Sequence, residues 1–280
     1  MKLTDECYYC LKRLVVHAAE LATEDNHLRS NVENAGMRVL DKHYSKQDVS
    51  IVVASKIHHE IKKVSGNNDP YRQIKDREIE LARTMFEQAK SQYDDTLADL
   101  IKLAVLGNSM DFFKPVETIS EKDINEKIRF YIDDTGRFEK KLERAKKVLY
   151  LADNSGEVFF DIPLIKHIGQ ITEVKYVVKA LPVQNDLTLE EIRIAGVEDE
   201  IVEIIDTGTA TPGIDFAQAS REFIEEFENA DLILAKGMGY YESLTELPAK
   251  GRVFHCFRAK CRPVADSAGV PVDSFVAMLR

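Results

Sequence analysis

Residues 146–161 read KKVLYLADNSGEVFFD. A short apolar run comes first, then an acid and an amide side by side, a small turn, and a second apolar segment carrying another acid. The run has the length and the Val/Tyr content of a strand, and the turn at Ser155 and Gly156 leads into a helix. Asp153 and Asn154, two hard oxygen donors, therefore stand where a strand ends, a place from which they can ligate a divalent cation. The backbone N–H groups of Ser155 and Gly156, at the start of the helix, suit an anion. A metal beside an anion cradle is phosphate chemistry. Taken alone, the same residues also read as a turn whose side chains cap the helix that follows, so the surrounding chain has to decide.

Downstream the pattern repeats. EVKYVVKA (173–180), EIVEIID (200–206), ADLILAK (230–236) and RVFHCF (252–257) are short β-branched runs separated by helix-length stretches such as GIDFAQASREFIEEFENA. This alternation predicts an α/β fold, a mostly parallel sheet between helices, with ligands at the C-terminal ends of the strands. Upstream, from residue 4 to about 145, the periodicity is helical and strand signals are absent. Leu11, Leu14, Val15, Ala18 and Leu21 form one apolar stripe,. Val49, Val52, Val53, Ile57 and Ile61 form a second, ending at Gly66, and Ile74, Ile79, Leu81 or Ala82, Phe86 and Ala89 a third after Pro70,. The expected organisation is an all-helical domain over 1–145 followed by an α/β metal- and phosphate-binding domain over 146–280. No linker rich in Pro, Gly or Ser separates them.

The 280 residues are 44% hydrophobic, enough for a substantial core,. No apolar run approaches the roughly 20 residues of a membrane span. The N-terminal MKLTDECYYCLKRL lacks the apolar core and cleavage site of a secretory signal, so a cytoplasmic protein is expected. With 38 Lys and Arg against 48 Asp and Glu, the net charge of −10 disfavours a nucleic-acid partner,.

The remaining strand ends carry polar residues too. Asn185 and Asp186 follow the second run, DTGTATPG (206–213) the third, Lys236 with Gly237 and Gly239 the fourth, and Arg258 and Lys260 the fifth. Each has an ordinary structural explanation; together they supply what a cation and a phosphoryl oxygen jointly require. A P-loop and a G-x-G-x-x-G dinucleotide fingerprint are both missing from the expected positions.

The ordered set GNSMDF (107–112), DNSGEVFFD (153–161), NDLT (185–188), KGMGYYE (236–242) and AKCRPVA (259–265) resembles the metal-dependent damage-control phosphatases, a family long catalogued as domain of unknown function 89. The N-terminal Cys-x-x-Cys and NDPY (68–71) are similar to its branch that includes compact archaeal members. The likeness spans nearly the whole chain. It implies a helical N-terminal domain on a three-layer, Rossmann-like α/β/α domain. It also implies hydrolysis of small-molecule phosphate esters, including damaged or side-product sugar and cofactor phosphates, with a divalent metal (Mn, Ni, Co or Mg). By this resemblance Asp153, Asn154 and Asp186 hold the metal and, with Lys236, form the catalytic set. Asn108, Asp111, Ser155, Gly156, Asn185, Gly237, Glu242 and Lys260 are the expected substrate- and phosphate-binding residues. Tyr240 stands where many relatives carry Asn. Water, rather than Asp153, is the expected nucleophile, because Asp153 is needed on the metal.

Cys7 and Cys10 lie one helical turn apart, and Cys256 and Cys261 could complete a four-cysteine second metal site if the first helix packs beside the last strand; the alternative is buried, inert thiols. His58 and His59, adjacent on a helix, read as exposed polar residues, and His17 as a core or edge histidine. Two rival functions follow from other classes. A non-catalytic metal or redox module would use the four cysteines. A methyltransferase would need a glycine-rich nucleoside loop where DNSGE stands.

Overall fold

The computed structural model describes residues 1–109, 127–248 and 250–280. Five helices come first: α1 (Asp5–Ala22), α2 (Asn26–His43), α3 (Ser50–Ser65), α4 (Arg72–Ala89) and α5 (Leu97–Ser109). The local chemistry sets their ends. Asp25 caps α2 by accepting the Leu28 N–H at 2.7 Å,. Gly66, at φ 71°, closes α3 in the left-handed conformation,. The apolar stripes of α1, α2 and α3 meet in a core of their own, where Val15, Ala18, Val32, Leu40, Ile57 and Ile61 are completely buried. His58 belongs to this buried layer at 2% exposure, which corrects the expectation of an exposed residue; His59 beside it is exposed. The 100° step between neighbours on a helix carries one ring inward and the other out.

The rest of the chain alternates. In order come β1 (Phe130–Asp133), α6 (Thr135–Leu142), β2 (Lys147–Leu151), α7 (Val158–Gly169), β3 (Glu173–Val178), α8 (Leu189–Ala195), β4 (Ile204–Asp206), α9 (Arg221–Asn229), β5 (Leu232–Lys236), α10 (Gly237–Leu244), β6 (Val253–Arg258), α11 (Arg262–Ala268) and β7 (Phe275–Leu279). All seven strands join one sheet in the order β1-β7-β6-β5-β2-β3-β4. Strands β2 to β6 run parallel; β7 is antiparallel to β6, and β1 lies parallel to β7. The expected α/β fold with a helical N-terminal part is therefore present.

Two strands, β1 and β7, lie outside the five expected runs, and β1 precedes residue 146, where strand signals were expected to be absent. β1 is a four-residue edge strand with alternating, incomplete burial. Such a segment lacks the continuous apolar run that marks a strand covered on both faces, which β5, buried along its whole length, shows clearly. The helices also divide differently from a single helical block. Helices α4 and α5 leave the α1–α3 core and join that of the sheet, where Ile79, Ala82, Ile101 and Val105 pack with Val148, Tyr150 and Phe160. The opposite face of the sheet is covered by α9 and α10 through Phe223, Phe227 and Tyr240.

From β2 the chain moves outward to β3 and β4 on one side, whereas β5 and β6 build the other side. The C-terminal end of β2 is thus the switch point of the sheet, the place where an open α/β sheet forms a crevice. Asp153 stands there. Among the described residues no helix is long and apolar enough to cross a membrane.

Candidate active site

The loops that follow β2 and β3 are stitched by their backbones. Leu187 donates its N–H to the Asp153 carbonyl at 2.8 Å, and Ser155 donates its N–H to the Asn185 carbonyl at 2.9 Å. Asn154 and Asp186 consequently pair as an isolated antiparallel bridge. Backbone bonding, rather than contact between side chains, places Asp153, Asn154 and Asp186 side by side. The hydroxyl of Ser155 also donates to the Asn185 carbonyl, at 2.9 Å. The N–H and the hydroxyl of Ser155 are therefore committed to loop structure, which corrects the expectation that Ser155 cradles an anion. Gly156 has a packing role: a Cβ there would lie 2.9 Å from Ala82 Cβ and 3.0 Å from the Glu78 carbonyl oxygen, so its lack of a side chain lets α4 close on the turn.

Two amides hold the first carboxylate. Asn108, brought by α5 and 2% exposed, donates through Nδ2 to Asp153 Oδ2 at 2.7 Å and to Glu157 Oε1 at 2.8 Å. Asn154 Nδ2 donates to the same two atoms, at 3.1 and 2.6 Å. Gly237 presses on Asp153 from the other side. Its φ is +77°, and a Cβ on it would stand 1.9 Å from Asp153 Oδ2, so only glycine fits both the backbone conformation and the space.

Lys236 lies below this layer, fully buried. Its Nζ is 2.8 Å from Glu157 Oε2 and 2.5 Å from Asp161 Oδ1. Asp161 also accepts the hydroxyls of Tyr150 at 2.7 Å and Tyr176 at 2.8 Å. Burial opposes the charge of Lys236, but Asp161 and Glu157 more than offset it and hold its pKa above the ordinary lysine value. Lys236 is the internal counter-ion of Glu157 and Asp161, which corrects its expected place on a phosphate.

The lysine at the reactive layer is Lys179, at the end of β3, which sequence reasoning missed. Its Nζ donates to the Gly213 carbonyl at 2.7 Å and the Tyr240 hydroxyl at 2.8 Å, and lies 3.6 Å from Asp186 Oδ2. Burial lowers its pKa, while Asp186 and Asp153 work against that. A lysine terminating a strand buried on both faces was the available signal, because a buried ammonium needs a partner. Glu78 of α4 was missed as well; DREIELA looks like a solvated helix face. It is 1% exposed, and its Oε1 accepts Asn185 Nδ2 at 2.8 Å.

The cluster is crowded with negative charge. Burial, then Glu157 and Asp186, raises the pKa of Asp153 well above the carboxylate range. Burial carries Asp186 to about 6 against the pull of Lys179, and burial also raises Glu78. Asp186 Oδ2 and Glu78 Oε2 have no hydrogen-bond partner among the described residues. Lys260, exposed on the loop after β6, acts on Asp153 and Glu78 through its charge and is the cation on the solvent side. The donors that could hold a cation are the carboxylates of Asp153 and Asp186 and the amide oxygen of Asn154, and the uncompensated charge around them fits one. Among the described residues no group of three His, Cys, Asp or Glu side chains forms a cation cage, so the amide is a necessary part of this set.

Other expected residues lie elsewhere. Glu242 packs against the helical unit, where its carboxylate accepts the Ser50 hydroxyl and burial raises its pKa to about 7. Cys256 is buried in the core of the sheet, with Lys236 and Asp161 acting on it. Cys7 and Cys10 act instead on Cys261, and all four are free thiols. The four cysteines do not assemble into one site, because β6 carries Cys256 into the interior. Asp111 lies outside the described residues.

Comparison with known proteins places this arrangement. The damage-control phosphatase ARMT1-like domain matches residues 3–276. The chain belongs to that family. A damage-control phosphatase of Pyrococcus horikoshii is 35% identical, covering 99% of this chain and 98% of its own. One of Archaeoglobus fulgidus is 33% identical over 99% of each, and an uncharacterized protein of Methanocaldococcus jannaschii is 36% identical over 100% of this chain and 96% of its own. The crystal structure of a Pyrococcus horikoshii protein of the domain-of-unknown-function-89 family superposes with a TM-score of 0.90 at 34% identity, covering 100% of this chain and 99% of that one. A damage-control phosphatase ARMT1-like fold thus carries the stitched loops and the buried carboxylates.

Proposed function

We propose that this protein is a phosphatase that hydrolyses phosphate monoesters of small metabolites, sugar and cofactor phosphates among them, with a divalent metal (Mn, Co, Ni or Mg) held by Asp153, Asn154 and Asp186. The observation that carries the reading is the pair Asp153 and Asp186: two carboxylates fixed together by backbone, both raised in pKa, one with an oxygen that has no hydrogen-bond partner among the described residues. Membership of a family named for phosphatases supports it.

The chemistry that a divalent cation supplies when bound is neutralisation of phosphoryl charge and a water acidic enough to attack near neutral pH. Around it, the chain's own groups have distinct tasks. Asn108 and Asn154 hold the Asp153 carboxylate in one orientation through Oδ2. Lys179, bonded to Gly213 and Tyr240, keeps an ammonium beside Asp186, where negative charge develops during phosphoryl transfer,. Lys260 supplies positive charge at the solvent side, which favours approach of a dianion. Glu157, Lys236 and Asp161 form the buried platform beneath.

Hydrolysis of p-nitrophenyl phosphate is expected to stop on treatment with EDTA and to return with Mn, Co, Ni or Mg. Asp153→Ala or Asp186→Ala should remove both turnover and metal uptake while leaving the circular dichroism spectrum unchanged. Full activity in metal-stripped protein would refute the metal assignment. The rival with a four-cysteine metal or redox centre loses support because Cys256 is separated from the other three thiols.

A further inference from the structure

The face of α3 and the loops after β3 and β4 enclose a cleft of about 820 Å³. His43, Lys56, His59 and Lys62 line one side, and Pro182 and Thr211 the other. In a chain of net charge −10 this wall sets two lysines beside two imidazoles. Elsewhere, lysines removed from solvent are matched with carboxylates: Lys75 with Asp69 and Glu191, Lys175 with Glu203 and Glu226, Lys236 with Glu157 and Asp161.

The cleft differs. Lys62 donates to the Pro182 carbonyl, and Lys56 lies 3.3 Å from His43 Nδ1; neither ammonium is in an ion pair with a carboxylate among the described residues. The carboxylate that acts on Lys62, Asp69, is already held by Lys75 at 2.8 Å. Glu60, also on the cleft wall, is directed to Lys63 at 3.4 Å. Burial lowers the pKa of Lys62, as expected for a cation short of counter-charge,. An anion supplies what the cleft lacks.

The position of the cleft relates that anion to the chemistry. Pro182 and Thr211 belong to the loops that also carry Asp186 and Gly213, the latter bonded to Lys179. The Asp186 N–H returns to the Val183 carbonyl at 3.1 Å, a turn that begins one residue after Pro182. One Cα step plus a turn sets the Pro182 and Asp186 Cα atoms within about 11 Å of each other.

We propose that this cleft is an anion subsite that receives a second phosphate or carboxylate of the ester hydrolysed at Asp153 and Asp186, so that the preferred substrates are doubly anionic metabolites. The proposal rests on the phosphatase reading, and its test separates the two. α,ω-Alkanediol bisphosphates of graded length are compared with the matching alkyl monophosphates, in the wild type and in Lys56→Glu/His59→Glu, whose altered side chains are exposed. In parallel, inorganic phosphate is titrated while the imidazole resonances of His43 and His59 are followed by NMR, with Lys62→Ala as a second variant.

In the wild type, one bisphosphate length should exceed its monophosphate in kcat/KM by about tenfold or more, and the double variant should bring that ratio to about one. Equal ratios in wild type and variant, or no preference at any length, would overturn the distal-group assignment. Phosphate should shift the imidazole signals in the wild type and leave them still in Lys62→Ala. Unmoved signals in the wild type would overturn the anion site itself. Shifted signals with no ester turned over would uphold the anion site and end the phosphatase reading.

Discussion

A carboxylate 3% exposed among other acids ionises late, and burial carries Asp186 to about 6. An acid whose pKa in the folded state exceeds its unfolded value favours folding below the unfolded value, roughly 3.9, and loses that contribution as the pH rises through about 6. Asp186→Asn should therefore raise the melting temperature of metal-free protein near pH 8, by the equivalent of about 2–3 kcal/mol. The gain should disappear near pH 4 while turnover stays abolished, and melting curves at the two pH values check it. The two buried lysines should part company in a similar comparison. Lys236→Met leaves Glu157 and Asp161 unpaired and should cost about 3–5 kcal/mol of stability. Lys179→Met should chiefly lower kcat with metal content retained. Denaturant titration beside steady-state kinetics distinguishes them. The meeting of Asp153, Asn154 and Asp186 was legible in the sequence because they stand at the ends of apolar strands. The role of Lys236 was not, because its partners lie on the helix that follows a different strand, and nothing in their spacing announces the meeting.

At the scale of elements, the turn from β5 into α10 tolerates little change. Gly237→Ala places a methyl group where the Asp153 carboxylate lies and asks an L residue to hold φ +77°. Its expected effects are a loss of about 1–3 kcal/mol and near-complete loss of activity, measured by thermal melting and by hydrolysis of p-nitrophenyl phosphate. Wild-type kinetics in this variant would mean that the turn has another way to relax. The interior strands were readable since a parallel sheet covered on both faces requires continuous apolar runs, as in LILAK,. β1, FYID at the sheet edge, shows the opposite case: partial burial leaves a signal too short to separate from a helical neighbourhood. Glu78 was hidden for a related reason. One acid on a helix rich in charged residues looks solvated until the turn at Gly156 packs over it.

For the molecule as a whole, the separate core of α1–α3 predicts that the thiols of the first helix are remote from turnover. Cys7→Ser/Cys10→Ser should lose about 1–2 kcal/mol, mainly through the buried Cys7,, and keep its kcat per folded molecule; melting and active-site-normalised kinetics test this. Retained stability with lost catalysis would move the chemistry to the thiols. The helices α4 and α5 behave otherwise, since they pack in the core of the sheet and deliver Glu78 and Asn108. Glu78 meets Asn185 across 107 residues of chain, and Lys236 meets Asp161 across 75. During synthesis from the N-terminus, the ribosome releases both helices long before the loops they serve. Until residue 237 has emerged, the nascent chain holds acidic side chains destined for burial with neither their lysine nor the glycine turn that confines them. Phosphatase chemistry, on this architecture, waits until β5 and its glycine turn have joined the sheet, so that activity regained on dilution from denaturant reports that closure rather than the recovery of α4 or α5 alone.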